Sequence, residues 1–283
     1  MARWPRPFVD QQQMDLYKFI PGTAPLLVSM PHIGTYVPPD ISARMTNAAL
    51  TLPDTDWNVD RLYDFLGEIG AATIQATHSR YVIDLNRAPD GQALYPGASN
   101  TELCPTTQFD DSPIYRPGQA PGEAEVLARR DTYWRAYHER LAAELAAIKA
   151  RHGYALLFDA HSIKSVVPRF FEGRLPDLNL GTVGGSSAPP GLAARLIEAA
   201  GEAIDYTSVL NGRFKGGYIT RHYGRPGERV HAVQLELAEV TYMDEDPPFK
   251  FRDDLAAKLR PHLRTLLTAM LEWGREFGAR AAE

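Results

Sequence analysis

Apolar residues along this chain gather into short runs, separated by stretches in which they recur every three or four positions. The runs are "PLLVSM" (25–30), "ATIQA" (72–76), "YVIDL" (81–85), "YALLF" (154–158), "LNLGTV" (178–183), "YTSVL" (206–210) and "VHAVQLEL" (230–237). Each has the length of a strand rather than a helix. Helical spacing is clearest over 122–150, where Leu127, Trp134, Tyr137, Leu141, Leu145 and Ile148 share one stripe and Pro121 sits just ahead of the start. A second helix is predicted over 58–69 from Leu62, Phe65, Leu66 and Ile69. A third is predicted over 251–278, with Pro261 expected to kink or divide it. Strands alternating with helices predict an α/β layered fold around a mainly parallel sheet. No fixed-period repeat, low-complexity tract or convincing linker splits the chain, so a single domain over 1–283 is expected. The stretch 86–121 is rich in Pro, Gly, Asp and Ser, and a connection of that length is more often functional than idle.

Composition narrows the class. The chain has 283 residues, 44% of them hydrophobic, which is ample for a large core. Its formal net charge of −5 offers no basic field for a nucleic-acid backbone. Cys104 is the only cysteine, which excludes an intrachain disulfide and a cysteine-rich zinc module. The start "MARWPRPFVDQQQ" has arginines with no apolar stretch behind them, so no secretory signal is expected. No apolar run approaches the roughly 20 residues of a membrane helix. A soluble, cytoplasmic protein with no membrane partner is the expectation; oligomeric state is not legible.

Ligands of open α/β sheets collect beyond the carboxyl ends of the strands. Four of the predicted strands end in reactive groups: His32, the pair Asn86 and Arg87, the pair Asp159 and His161, and Glu236. Two histidines at equivalent strand ends fit a metal site, since neutral imidazole is a common ligand. A catalytic zinc takes three protein ligands and leaves a position open, and a carboxylate is the natural third. "PDTDWNVDRLYDF" (53–65) offers Asp54 and Asp56 just before a helix, and the residues alone leave both open. Strand alternation puts Val233, Leu235 and Leu237 on one face and Gln234 and Glu236 on the other. Glu236 is then either a salt-bridge partner or a general base. The planar fork of Arg87 suits a carboxylate, with the Asn86 amide beside it. "GRFKGGYITRHYG" (212–224) adds Lys215, Arg221 and His222 around paired glycines that suit a close-approaching loop, or else an exposed basic hairpin. "VGGSSAPPG" (183–191) lacks the spacing of a phosphate-binding loop.

Taken jointly, "SMPHIG", "DTDWNVDRLY", "HSRYVIDLNR", "DAHS", "LPDLNLGT", "GRFKGGYITRHYG" and "VQLELAE" resemble the N-formylglutamate amidohydrolase (N-formylglutamate deformylase) family, over about residues 26 to 245. That family is distantly similar to the zinc carboxypeptidases and aspartoacylase. The resemblance implies a three-layer αβα fold with a central, largely parallel mixed sheet like that of the zinc carboxypeptidases. It implies that His32 and His161 bind one divalent metal ion, most simply Zn2+, and that Glu236 is the base. It also implies that Asn86 and Arg87 grip a substrate carboxylate. The carboxypeptidase pattern breaks at Thr35, three residues after His32, where no glutamate stands nearby. The third ligand is therefore assigned to Asp56, with Asp54 the alternative.

The activity so implied is hydrolysis of N-formyl-L-glutamate to formate and L-glutamate, the closing step of one histidine-degradation route. Arg80 is expected to stabilise the developing oxyanion. The substrate's two carboxylates call for two cationic grips, nominated as Arg87 and Arg221. Two other functions fit parts of the pattern. A deacylase of another N-acyl amino acid, or a small metallocarboxypeptidase, keeps the metal site and changes the pocket. A non-catalytic amino-acid-binding domain needs the arginines but not His32, His161 and Glu236 together.

Overall fold

The computed structural model describes residues 14–93, 97 and 99–280; the arginine-bearing start that predicts no secretory signal lies outside them. All the apolar runs but one become strands, and a short edge strand joins them. The strands are β1 (Tyr17–Ile20), β2 (Leu26–Met30), β3 (Ala72–Ala76), β4 (Ala155–Ile163), β5 (Leu178–Gly181), β6 (Ser208–Leu210) and β7 (Val230–Ala238). The helices are α1 (Pro39–Ser42), α2 (Val59–Leu62), α3 (Glu123–Arg129), α4 (Arg135–His152), α5 (Pro190–Gly201), α6 (Tyr218–Tyr223) and α7 (Asp253–Arg280). One seven-stranded sheet runs in the order β1-β3-β2-β4-β7-β5-β6. Pairing is parallel except where β1 meets β3 and β5 meets β7. A mixed, largely parallel sheet is what the sequence predicts.

Alternation along the strands builds the layers. Leu26, Val28, Leu156, Phe158, Val233 and Leu235 face α2, α5 and α7, which contribute Leu62, Leu192, Leu196, Leu259, Leu263 and Leu266. On the other face Leu27, Ile74, Leu157 and Ala232 meet Tyr137, Leu141, Leu145 and Ile148 of α4 and Ile219 of α6. The result is three layers, αβα. No helix among the described residues is long and apolar enough to cross a membrane.

Four expectations are corrected. "YVIDL" (81–85) is a turn, not a strand. Both sides of β3 are already taken by β1 and β2, and Asp84 folds the segment by accepting the Asn86 N–H at Oδ1 (2.9 Å). Asn86 and Arg87 thus sit on a loop. Pro261 does not divide the last helix, which runs unbroken over Asp253–Arg280. One lost amide bond at an exposed position is outweighed by the face carrying Leu259, Leu263, Leu267 and Met270. The helix predicted over 122–150 carries a π-helical turn at Arg130–Trp134. That turn shifts the stripe ahead of it, and Leu127 is 42% exposed. The 58–69 helix shortens to α2 followed by a 3-10 turn at Asp64–Gly67.

Far from the carboxyl ends, His231 on β7 is buried between Trp273 and Phe277, with ring centroids at 4.9 and 4.8 Å. Neither ring nitrogen has a hydrogen-bond partner. Burial, aided by the charge of Arg229, pushes its pKa down from 6.5 to about 4. A base that is harder to protonate when folded gives stability that is present above pH 6.5 and lost as pH falls toward 4. His231→Phe is therefore expected to raise the melting temperature, with a gap to wild type that widens from pH 6.5 down to 4. Melting curves that stay parallel over that window would remove His231 from the acid response.

Candidate active site

The face of the sheet that packs on α4 is apolar at its lower end and turns polar toward the carboxyl ends. Strand register draws the polar residues into rows. Ser29, Asp159, Gln234 and Gly181 lie side by side across β2, β4, β7 and β5. One step further, His161, Glu236 and Asn179 form a second row. His161 lies inside β4, which continues to Ile163, whereas His32 stands two residues beyond the end of β2. Side chains on alternate positions of parallel strands thus deliver the chemistry to one spot, while Val233, Leu235 and Leu237 stay in the opposite core.

Around His161 and His32 lies a group that could hold a metal ion. His32, Asp56 and His161 are all buried, and one potential ligand atom of each lies within 4.8 Å of the others. Each histidine turns Nε2 to a carboxylate: His32 to Asp84 Oδ1 (2.7 Å) and His161 to Asp159 Oδ2 (3.0 Å). Nδ1 of each ring faces Asp56 Oδ2, at 3.7 and 3.0 Å, and Asn86 Nδ2 lies 2.9 Å from His161 Nε2. Such carboxylate partners fix the tautomer and ring orientation of metal-binding histidines. Asp56 Oδ1 is buried without a hydrogen-bond partner, a costly state that a cation would relieve. The donor set of two imidazoles and one carboxylate suits zinc. These residues fit the metal that the sequence implies.

Electrostatics follow from the same crowding. Burial alone would raise the Asp56 pKa, but the charges of His32 and His161 and their hydrogen bonds hold it well below the usual carboxylate range. Burial works against a charge on His161, yet Asp159 and Asp56 on either side raise its pKa well above normal. Glu236, fully buried beside this group, is pushed up to about 8 by burial, with His161 opposing. Asp54 points elsewhere: its Oδ2 accepts the Tyr81 hydroxyl (2.6 Å) and the Phe109 N–H (3.0 Å). Arg80 donates to Asp84 Oδ2 (3.0 Å) and to the Asp54 carbonyl (3.1 Å), and lies 3.5 Å from Asp56 Oδ1.

The match with known proteins is extensive. The family model described as N-formylglutamate amidohydrolase covers residues 24–243. This chain belongs to the N-formylglutamate amidohydrolase family. An N-formylglutamate deformylase from Pseudomonas aeruginosa is 54% identical over 262 residues, spanning 93% of this chain and 98% of that protein. One from Pseudomonas putida is 49% identical over 258 residues, spanning 91% and 96%. A solved N-formylglutamate amidohydrolase structure from Ralstonia eutropha superposes with a TM-score of 0.77 at 27% identity, covering 92% of this chain and 98% of that one.

In this member of the N-formylglutamate amidohydrolase family, a cavity opens over the cluster, and His32, Arg80, Asn86, Arg87, His161 and Glu236 all line it. The paired glycines of 212–224 approach closely, as that segment predicts. A Cβ on Gly217 would lie 2.2 Å from Asn86 Nδ2, and the bare backbone instead donates from Gly217 N to Gln234 Oε1 (2.7 Å). Asn86 is held further by Ile219 N donating to its Oδ1 (2.8 Å), and its Nδ2 donates to Asp159 (3.2 Å). Arg87 leans on Asp84 (3.7 Å) and donates to Thr101 Oγ1 (2.7 Å). Trp134 Nε1 fixes the Arg87 carbonyl (3.0 Å), and His138 Nε2 the Leu85 carbonyl (2.8 Å). Arg221 is not brought to the cavity; it lies on α6 with Nε donating to the Gly216 carbonyl (2.9 Å). Arg213, in the same segment, lines the cavity instead. Sequence reasoning also missed Asp84 and passed over Asp159 as a site residue. Their signal was available: each is an acid set inside an apolar run, "VIDL" and "LLFDA".

Proposed function

We propose that this chain is a single-domain, metal-dependent amidohydrolase that cleaves N-formyl-L-glutamate to formate and L-glutamate. The observation that carries the metal dependence is the buried His32–Asp56–His161 group, with Asp56 Oδ1 left without a hydrogen-bond partner. The substrate assignment is supported by two relatives named N-formylglutamate deformylase, 54% and 49% identical over nearly the whole chain. As in the family resemblance, the enzyme would act in the cytoplasm at the close of histidine degradation.

His32, Asp56 and His161 would hold a divalent ion, which when bound would supply Lewis acidity for the formyl oxygen and lower the pKa of water to about 7. The remaining work belongs to the chain's own groups. Asn86 and Arg87 hold one substrate carboxylate and so place the amide over the cluster. Glu236 takes a proton from the attacking water at its carboxylate, then delivers it to the nitrogen as the C–N bond breaks. Arg80, oriented by Asp84 and the Asp54 carbonyl, faces the charge that develops on the formyl oxygen. Asp84 and Asp159 keep the histidine rings aimed.

The test is formate release from a panel of N-formyl and N-acetyl derivatives of glutamate and aspartate, with and without chelator. N-formyl-L-glutamate is expected to be the best substrate, activity to vanish on chelation, and added Zn2+ to restore it. Full activity in protein stripped of metal would exclude the metal-dependent mechanism. A clear preference for N-acetyl substrates would favour the N-acyl deacylase function instead.

A further inference from the structure

We infer that Arg213 is the residue that recognises the substrate's second carboxylate, and so selects a diacid over its neutral analogues. The inference rests on the N-formylglutamate function proposed above. Arg213 follows β6, the edge strand at one end of the sheet, whereas Arg87 lies on the loop beyond β3, near the other end. His32, His161 and Glu236 come from β2, β4 and β7 in between. Both arginines line the same cavity, so the cluster is approached by a guanidinium from either side. A substrate with a carboxylate at each end of a short chain suits two guanidinium groups that line one cavity. Arg80 does not compete for this role, because its contacts with Asp54, Asp56 and Asp84 tie it to the cluster itself.

The surroundings of Arg213 are built for a planar cation. Its guanidinium lies 6.0 Å from the Phe170 ring and 5.4 Å from the Phe214 ring, and Nε donates to the Phe170 carbonyl. Phe170 and Phe214 both pack on the cluster formed by Ile163, Val167 and Leu175. Aromatic faces hold a guanidinium by cation–π attraction and keep water from its sides. In such surroundings pairing with a carboxylate is stronger than at an open surface, and the flat fork can offer two parallel hydrogen bonds. Lysine has neither the plane nor the fork. The same segment delivers Gly217 against Asn86, so the two carboxylate grips are mechanically joined.

The experiment compares kcat/KM on N-formyl-L-glutamate and on N-formyl-L-glutamine, which keeps the shape and the α-carboxylate but loses the side-chain charge. Arg213→Ala and Arg213→Lys are assayed on both, beside Arg87→Ala, each as the metal-loaded enzyme. Arg213→Ala is expected to lose about ten- to a hundredfold on the glutamate substrate and less than about threefold on the glutamine one. Arg213→Lys should lose part of that selectivity, and Arg87→Ala should lose activity on both substrates alike. Because each ratio is taken within one protein, partial misfolding cancels. Equal losses on both substrates with Arg213→Ala, or no loss on either, overturn the inference. A selective loss with Arg87→Ala and not with Arg213→Ala overturns it by exchanging the two grips. Wild-type enzyme that releases formate from neither substrate overturns the N-formylglutamate function itself, and this inference with it.

Discussion

Glu236→Gln is expected to lower turnover of N-formyl-L-glutamate by on the order of a hundredfold or more, with fold and metal content intact. Glutamine keeps the shape of the side chain and its contact with Gln234 Nε2, now 3.2 Å from Glu236 Oε2. What it removes is the charge that accepts the proton. The competing role, a structural ion pair, predicts a loss of stability instead, since one partner would be left buried alone. Among the described residues, no ion pair joins Glu236 to an arginine; its hydrogen bond comes from Gln234. Burial raises the Glu236 pKa from 4.5 to about 8. An acid whose folded pKa is raised costs stability as pH climbs through that window, because the folded state resists losing the proton. Metal-free Glu236→Gln protein should therefore melt higher than metal-free wild type, by a margin that grows from pH 4.5 to 8. Turnover of the metal-loaded variant and melting of the metal-free one move in opposite directions if Glu236 is the base. A folded, metal-loaded variant with near-normal turnover would sink the mechanism.

The parts of this site that could be read from the sequence are those that strand alternation determines. Once "VQLELAE" is a strand, the period of two places Glu236 opposite Leu235, and nothing later in folding can undo that. His32 and His161 follow from the rule that chemistry gathers at the carboxyl ends of parallel strands. Loops carry no such period. "YVIDL" has the composition of a strand, and only the sheet order shows that both sides of β3, the strand just before it, are taken. Arg213 and Arg221 sit in one basic segment, and which of them reaches the cavity depends on where α6 begins. It begins at Tyr218, which carries Arg221 round the helix to the Gly216 carbonyl and leaves Arg213 on the loop. Asp54 and Asp56 differ in the same way, by the backbone path of the turn between them.

At that turn the second large effect is expected. Asp56→Asn should cut the affinity for Zn2+ by more than the roughly 10–100-fold typical of outer-shell substitutions, and activity should fall with it. Asp56 Oδ2 lies 3.0 Å from His161 Nδ1, and its second oxygen is buried without a hydrogen-bond partner. An amide in that place offers no charge to a divalent ion. Asp54→Asn, by contrast, should leave zinc content unchanged. Its carboxylate accepts from Tyr81 and from the Phe109 backbone, so losing the charge weakens the packing of the 109 loop beside Arg80. The expected cost there is in melting temperature and in a modest fall in catalytic efficiency. Elemental analysis after dialysis against a weak chelator separates the two variants. If Asp54→Asn loses zinc and Asp56→Asn retains it, the third ligand is Asp54. The carboxylate facing His32 and His161 would then have to be explained as a counter-charge for a protonated His161, which Asp159 already provides at 3.0 Å.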